Sequence, residues 1–186
     1  MALPHGIWLV EVWTKSVLVT YHVLFFMQVA TRKIHVAGLT PHPSEQWMIP
    51  MARNITMVDL GFLSDGHCLI HDRDGKYCPA FDKTVEAVGV KPIKLPLRSP
   101  NLNPHAERWV RPVKEECLWK LILFGEHSLR RSLAQDQEHH HRERPYQGKG
   151  NVILFPSSEQ ERVRDGAVGC RERLGGLLKY YYREAG

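Results

Sequence analysis

The chain has 186 residues, of which 43% are hydrophobic and 24% charged, with a formal net charge of +5. That is enough apolar material for one packed domain and too much for a disordered polyelectrolyte. Four cysteines without a CxxC pair argue against a disulfide scaffold or a zinc ribbon, and the reading is of reduced, intracellular thiols.

The charge is unevenly placed. Residues 1–90 carry 7 Lys/Arg and 8 Asp/Glu, whereas residues 91–186 carry 18 and 12. A basic second half points to a polyanion partner, most simply nucleic acid, with an ordinary solubilising surface as the plainer alternative. The most apolar run, VLVTYHVLFFM, is too short to span a membrane and lacks the basic start and cleavage site of a signal peptide.

In chain order, IWLVEVWT and SVLVTYHVLFFMQVA are rich in β-branched and aromatic residues and flank Thr14, Lys15 and Ser16, which predicts a hairpin of buried strands. ATRKIHVAGLT follows as a third strand. Trp47, Met48, Met51, Ile55 and Val58 then recur at helical spacing, with Ser44 as N-cap and Gly61 as stop. Pro50 falls in the second turn of that helix, at a cost of ~3 kcal/mol if interior. HCLIHDRDGKYC reads as a short strand, PAFDKTVEAVGV as a helix stopped by Gly89, and VKPIKLP as another strand.

SPNLNPHAERWVRPVK reads as a loop feeding a helix, with Asn103 as N-cap and Pro104 at the first helical position. Pro112 should bend that helix or end its first segment. Seven residues are about two turns, so Glu107, Arg111 and Lys114 share one face. A further helix runs from about Glu126 to His141. Residues 150–170 fit an extended tail, and CRERLGGLLKYYYREAG has two central glycines that make an isolated helix doubtful. Three strands, helix, strand, helix, strand and two helices suit an α/β mixed sheet with helices on both faces.

Asp72 follows CLIH at the end of a predicted strand, where sites form in open α/β sheets. Glu107 opens a helix farther along. Two carboxylates brought together bind Mg²⁺ or Mn²⁺ well, because hard cations prefer oxygen ligands. The plainer alternative, with Asp72 capping a turn and Glu107 favoured by the helix dipole, stays open on spacing alone.

These stretches together, IHDRDGKY and then SPNLNPHAERWVRPVKEECL, resemble the retroviral-integrase-like catalytic core of bacterial insertion-sequence transposases, the DDE superfamily. HHHRERPYQGKGN resembles the segment Y-N-x-x-R-P-H-x-x-L-G that ends many such cores, and the similarity runs from about Val10 to Phe155. It implies an RNase H-like fold, a five-stranded mixed sheet whose first three strands are antiparallel. It also implies metal-dependent phosphodiester hydrolysis and strand transfer during DNA integration. Asp72 and Glu107 match the second and third family acids, catalytic and metal-binding, and Lys114 matches a basic residue that contacts donor DNA. Arg108 and Arg111 could support phosphate binding, with solvation or pairing to Glu115 as the alternative.

The first family acid, which bridges both ions, falls near Gly6. Glu11, five residues on, points to the opposite face of a regular strand. The Mg²⁺ or Mn²⁺ site is therefore expected to be weakened and strand transfer to be weak or absent. Glu11 is a poor substitute, and nothing requires Asp74, two residues past Asp72, to come close. The alternative function is a non-catalytic DNA-binding or interaction remnant with the same fold. Helix-turn-helix and HHCC modules that read DNA ends are expected to be missing.

The expected organisation is a core over 1–150, truncated at the start of its first strand, and a C-terminal tail over 151–186. The expected partners are DNA and possibly further copies of the chain, without membrane or small-molecule cofactor. The expected location is the cytoplasm, at the nucleoid if the source is bacterial. His139, His140 and His141 are adjacent on a helix and cannot chelate one ion together, so they read as a solvated or DNA-facing helix end. Arg142, Arg144 and Lys149 extend this basic segment and either lie along phosphates or form plain surface. The five tryptophans (8, 13, 47, 109 and 119) read as core or interface anchors. Tyr180, Tyr181 and Tyr182 would pack on a neighbouring subunit or, in a monomer, be disordered.

Overall fold

The computed structural model describes residues 2–57, 62–71, 77–96, 104–156 and 166–184. The chain begins with a long hairpin, β1 (Ala2–Trp13) and β2 (Leu18–Met27), turned where Thr14 Oγ1 donates to the Val17 carbonyl. β3 (Ile34–Thr40) adds antiparallel to β2. β4 (Cys68–His71) then pairs parallel with β1, setting Pro4 beside Ile70, and β5 (Lys91–Lys94) pairs parallel with β4. The resulting strand order is β3-β2-β1-β4-β5.

Helices α1 (Glu45–Thr56) and α2 (Pro79–Glu86) cover one face of these strands, and α3 (Pro104–Pro112) and α4 (Gly125–Arg142) the other. A strand turns successive side chains to opposite faces. In β2, Val23, Phe25 and Met27 therefore pack under α3 and α4, while Leu24 and Phe26 pack under α1 and α2. Cover on both sides explains why VLFFM is apolar without alternation. Gly38 permits the close seating of α1, since a Cβ there would lie 2.6 Å from the Met51 sulfur.

Several boundaries match the sequence reading. Ser44 precedes α1, Pro104 opens α3, and Gly89, with φ +79°, follows α2. Pro50 sits inside α1 on its exposed side, where it deprives the Gln46 carbonyl of a helical partner. Val58, Gly61, Asn101 and Asn103 lie outside the described residues.

Pro112 ends the α-helical part of α3, as its missing N–H requires. The chain then continues as a π-helical turn over Val113–Cys117 and a 3₁₀ turn over Leu118–Lys120. The Leu118 N–H bonds to the carbonyls of Val113 and Lys114, which closes the widened turn.

The end of the chain departs from the expectation of disorder. β8 (Val168–Arg173) and β9 (Leu178–Arg183) form an antiparallel hairpin. It follows a short pair, β6 (Pro145–Tyr146) and β7 (Val152–Ile153). The two glycines that make a helix doubtful instead shape the turn, with φ of +69° at Gly175 and +88° at Gly176. The hairpin is fastened to α4. Arg173 donates to both carboxylate oxygens of buried Glu143 at 2.9 and 2.6 Å, and the Leu174 N–H donates to Gln135 Oε1. Tyr180, Tyr181 and Tyr182 are thus placed on a strand, with Tyr180 and Tyr182 stacked at 6.0 Å.

The histidine run is also corrected. His140 and His141 are buried, and His141 Nε2 accepts the Ile34 N–H at 2.9 Å, satisfying the start of β3. His139 is held by Glu143 at 2.9 Å. No described helix is long and apolar enough to cross a membrane. The described cysteines, 68, 78, 117 and 170, are all free thiols.

Candidate functional site

A cavity of about 550 Å³ opens between the middle of β1 and the exposed flank of α3. Its lining includes Gly6 and Trp8 from β1, Glu107 and Arg111 from α3, and Lys114 from the π turn. The buried face of α3 sets this geometry. Ala106 and Trp109 pack into the core, Trp109 against Phe25 at 4.8 Å and edge-on to Trp8 at 6.3 Å. That anchoring leaves Glu107 exposed at the rim, two residues before the anchor.

Glu107, Arg111 and Lys114 share this surface. Lys114 Nζ lies 5.2 Å from the Trp8 ring centre, a cation–π contact that holds the ammonium beside β1. Arg111 Nε donates to Glu115 at 2.9 Å, an exposed i,i+4 pair worth little energetically. Gly6 faces the same cavity, and a Cβ built there would stand 3.2 Å from the Phe25 ring. Glu11 is exposed and lies on the opposite face of β1 from Gly6, Trp8 and Val10. Asp72 and Asp74 lie outside the described residues. His71, which precedes Asp72, ends β4.

The other predicted basic residues go elsewhere. Arg108 points away from Gly6, and with Arg144 it lines a second cavity, of about 350 Å³, beside α4. Arg144 pairs with Glu116 at 2.9 Å and exposed Arg142 with Glu138 at 3.0 Å. Lys149 Nζ donates to the Ala30 carbonyl. Glu107, Arg111 and Lys114 thus line one cavity and Arg108 and Arg144 another, a division that helical spacing alone does not reveal, while Arg142 and Lys149 line neither.

In the second cavity the sequence reading misses Asp136 and misplaces His140, which it sets on a solvated or DNA-facing helix end. Asp136 is buried, and burial pushes its carboxyl up to about 7, against the opposing pull of Arg144. His140 is held neutral, its pKa lowered to about 3 chiefly by burial and then by the charges of His141 and Arg144. An aspartate in the middle of a helix rich in polar residues gives no sequence signal, because helical spacing does not say which polar position turns inward.

The described residues do not by themselves complete a centre for divalent ions. No group of three His, Cys, Asp or Glu among them converges on a common point. The carboxylates of the larger cavity are Glu107 and the Arg111-paired Glu115.

No family model matches the sequence, and no curated protein matches it either. Solved structures do. One is a chain of the simian T-cell lymphotropic virus intasome in complex with PP2A regulatory subunit B56 gamma. It matches with a TM-score of 0.59 and 13% identity over 98% of this chain and 66% of that one. Another is the HTLV-2 integrase catalytic core domain in complex with magnesium, in a trimeric form. It matches with a TM-score of 0.56 and 8% identity over 82% of this chain and 92% of that one. The chain thus spans 66% of the length of the intasome chain that it matches. At these identities the likeness is one of fold, and the fold is that of an integrase catalytic core.

Proposed function

We propose that the chain is a DNA-binding protein of the transposase and integrase core type whose metal-dependent phosphodiester hydrolysis and strand transfer are impaired. One observation carries this reading: Gly6, Glu107 and Lys114 line one cavity on an integrase-core fold. The parallel register that sets Pro4 beside Ile70 brings the end of β4 alongside the start of β1, which supports the reading. In an intact centre, paired divalent ions clamp the attacking and leaving oxygens of a phosphodiester. Here a glycine stands where a third carboxylate would be needed, so Mg²⁺ or Mn²⁺ affinity should fall. Lys114, kept beside the cavity by Trp8, is the DNA contact assigned to this surface.

Restoring the missing carboxylate tests the reading. A Cβ at position 6 requires the Phe25 ring, packed against Trp109, to give by a few tenths of an ångström. It should tighten Mn²⁺ binding by calorimetry at least ~10-fold, since each added carboxylate raises cation affinity. It should also raise strand transfer on a donor oligonucleotide, and Glu107→Gln or Asp72→Asn should remove both gains. Activity of the unaltered chain equal to that of Gly6→Asp would refute the impairment.

A second reading, a non-catalytic remnant of the same fold, follows from the same glycine at position 6. It prevails if Gly6→Asp gains neither metal nor activity. Both readings require DNA binding. With about four phosphate contacts, affinity should drop roughly a hundredfold between 50 and 200 mM salt. No drop would remove the nucleic-acid argument.

The second partner is another copy of the chain. Phe124, Trp13 and Leu18 are neighbours across three backbones, and Leu9, Trp119 and Ile122 are further exposed apolar side chains. Trp119, Trp13 and Phe124 are 72%, 50% and 66% exposed. These rings present on the order of 400 Å² of aromatic surface, about half of what each partner contributes to a stable interface. Sedimentation should detect a dimer at micromolar concentration that Phe124→Glu dissociates. A monomer at all concentrations would leave these side chains without this partner.

A further inference from the structure

A patch of positive charge forms where three separate segments meet, and the reading above does not use it. The turn between β2 and β3 supplies Arg32 and Lys33, α3 supplies Arg108, and the turn between β6 and β7 supplies Lys149. Printed contacts tie these segments to one another. Lys149 Nζ donates to the Ala30 carbonyl, two residues before Arg32. His105, one turn before Arg108 on α3, has its pKa lowered first by burial and then by the charges of Arg32 and Arg108, so both guanidinium groups act on the same ring.

Among the described residues, no ion pair includes Arg32, Lys33, Arg108 or Lys149. Lys33, Arg108 and Lys149 are exposed and Arg32 is partly so. Like charges held together without an acid raise the local potential, which draws a polyanion. Lys149 keeps two of its three N–H donors after meeting Ala30. Arg32 adds an independent observation. Its φ is +65°, in the left-handed region where glycine is the less strained occupant. The turn is closed by backbone bonds, Arg32 N–H to the Gln28 carbonyl at 2.7 Å and Gln28 N–H to the Lys33 carbonyl at 2.9 Å. A glycine could make the same bonds, so the guanidinium is not what shapes the turn. A backbone outlier of this kind points to a use for its side chain.

We propose that Arg32, Lys33, Arg108 and Lys149 form a seat for the sugar–phosphate backbone of DNA, separate from the Lys114 cavity and indifferent to base sequence. The proposal rests on the DNA-binding reading and adds to it the place where most of the non-specific affinity arises. Cations spread over three segments suit a row of phosphates better than one small anion, and phosphate contacts position a duplex without reading its bases. The patch also corrects the reading of charge along the chain. Residues 1–90 carry no basic excess, yet they supply Arg32 and Lys33.

The test measures affinity for two duplexes of unrelated sequence across a salt series, by fluorescence anisotropy. Lys33→Gln combined with Lys149→Gln should weaken both duplexes alike and reduce the slope of log affinity against log salt by about 2. Lys15→Gln combined with Lys83→Gln removes the same charge from exposed positions elsewhere and should leave the slope unchanged. Arg32→Gly should reduce the slope by about 1 without lowering the melting temperature, since glycine accepts the left-handed backbone. Equal effects of the two lysine pairs overturn the proposal, because net charge alone would then explain binding. An Arg32→Gly chain that binds as tightly as the unaltered one also overturns it. Either result leaves the DNA reading standing if Lys114→Gln still weakens binding. Failure of the unaltered chain to bind either duplex removes both this proposal and the DNA reading beneath it.

Discussion

Asp136 illustrates how one side chain sets a pH dependence. Burial pushes its carboxyl up to about 7, from an ordinary aspartate value of about 3.8. A raised carboxylate pKa means that the native state holds the proton more tightly. Stability therefore falls as pH rises from about 4 to 7 and is level outside that window. The difference corresponds to about 4 kcal/mol at most. Asp136→Asn should accordingly raise stability by about 2–4 kcal/mol at pH 8 and change little at pH 4, read from urea unfolding at the two pH values. A gain that is the same at both would contradict the assignment. Position 6 makes the opposite point about side chains. Its residue type, with Glu107 and Lys114, was readable against a family pattern, and the cavity that the three line together comes from elements a hundred residues apart.

At the level of elements, the C-terminal hairpin depends on one buried anion. Glu143 ends α4 with its side chain enclosed, and receives Arg173, His139 and, at 3.5 Å, Arg171. Burial alone would raise its pKa, but the hydrogen bonds and charges of Arg173 and His139 outweigh burial and hold it below the usual carboxylate value. Removing one member of such a set strands the others. Glu143→Ala should cost about 3 kcal/mol and speed amide exchange across β8 and β9 more than across β1 and β2. Uniform exchange would show that the hairpin is fastened by other contacts. A depressed carboxylate pKa also means that this contribution is complete above the unfolded pKa and is lost as pH falls through the folded one.

For the molecule as a whole, buried histidines govern the acid limb. His140 and His141 have pKa values of about 3 and about 4, lowered first by burial, and His5 is lowered in the same direction by full burial and by His71. A depressed histidine pKa contributes stability that is complete above about 6.5 and is lost progressively as pH falls below it. Near pH 5, His140 and His141 each cost about 2 kcal/mol. Asp136 returns about 3 kcal/mol over the same span, so the histidines prevail by a small margin that His5 widens. The melting temperature should be lower at pH 5 than at pH 7, and the drop should steepen in Asp136→Asn, which lacks the offset. A melting temperature unchanged between the two pH values would show that these imidazoles are solvated.

Local chemistry determined much from the sequence by itself. The β1–β2 hairpin and β3 follow from apolar runs and their turn, α1 and α2 from helical spacing and stops, and the end of α3 from Pro112. Each of these is decided by neighbours within a few residues. What joins distant segments needed the tertiary structure: the division of Glu107 and Lys114 from Arg108 and Arg144 into separate cavities, the burial of Asp136 and His140, and the fastening of β8 and β9 by Glu143. The glycine pair near the end shows the limit well, since it excludes a helix yet does not distinguish a loose tail from a hairpin turn. A polar side chain reads alike on the outside or inside of a helix, and its pKa and partners arise only when other segments close around it.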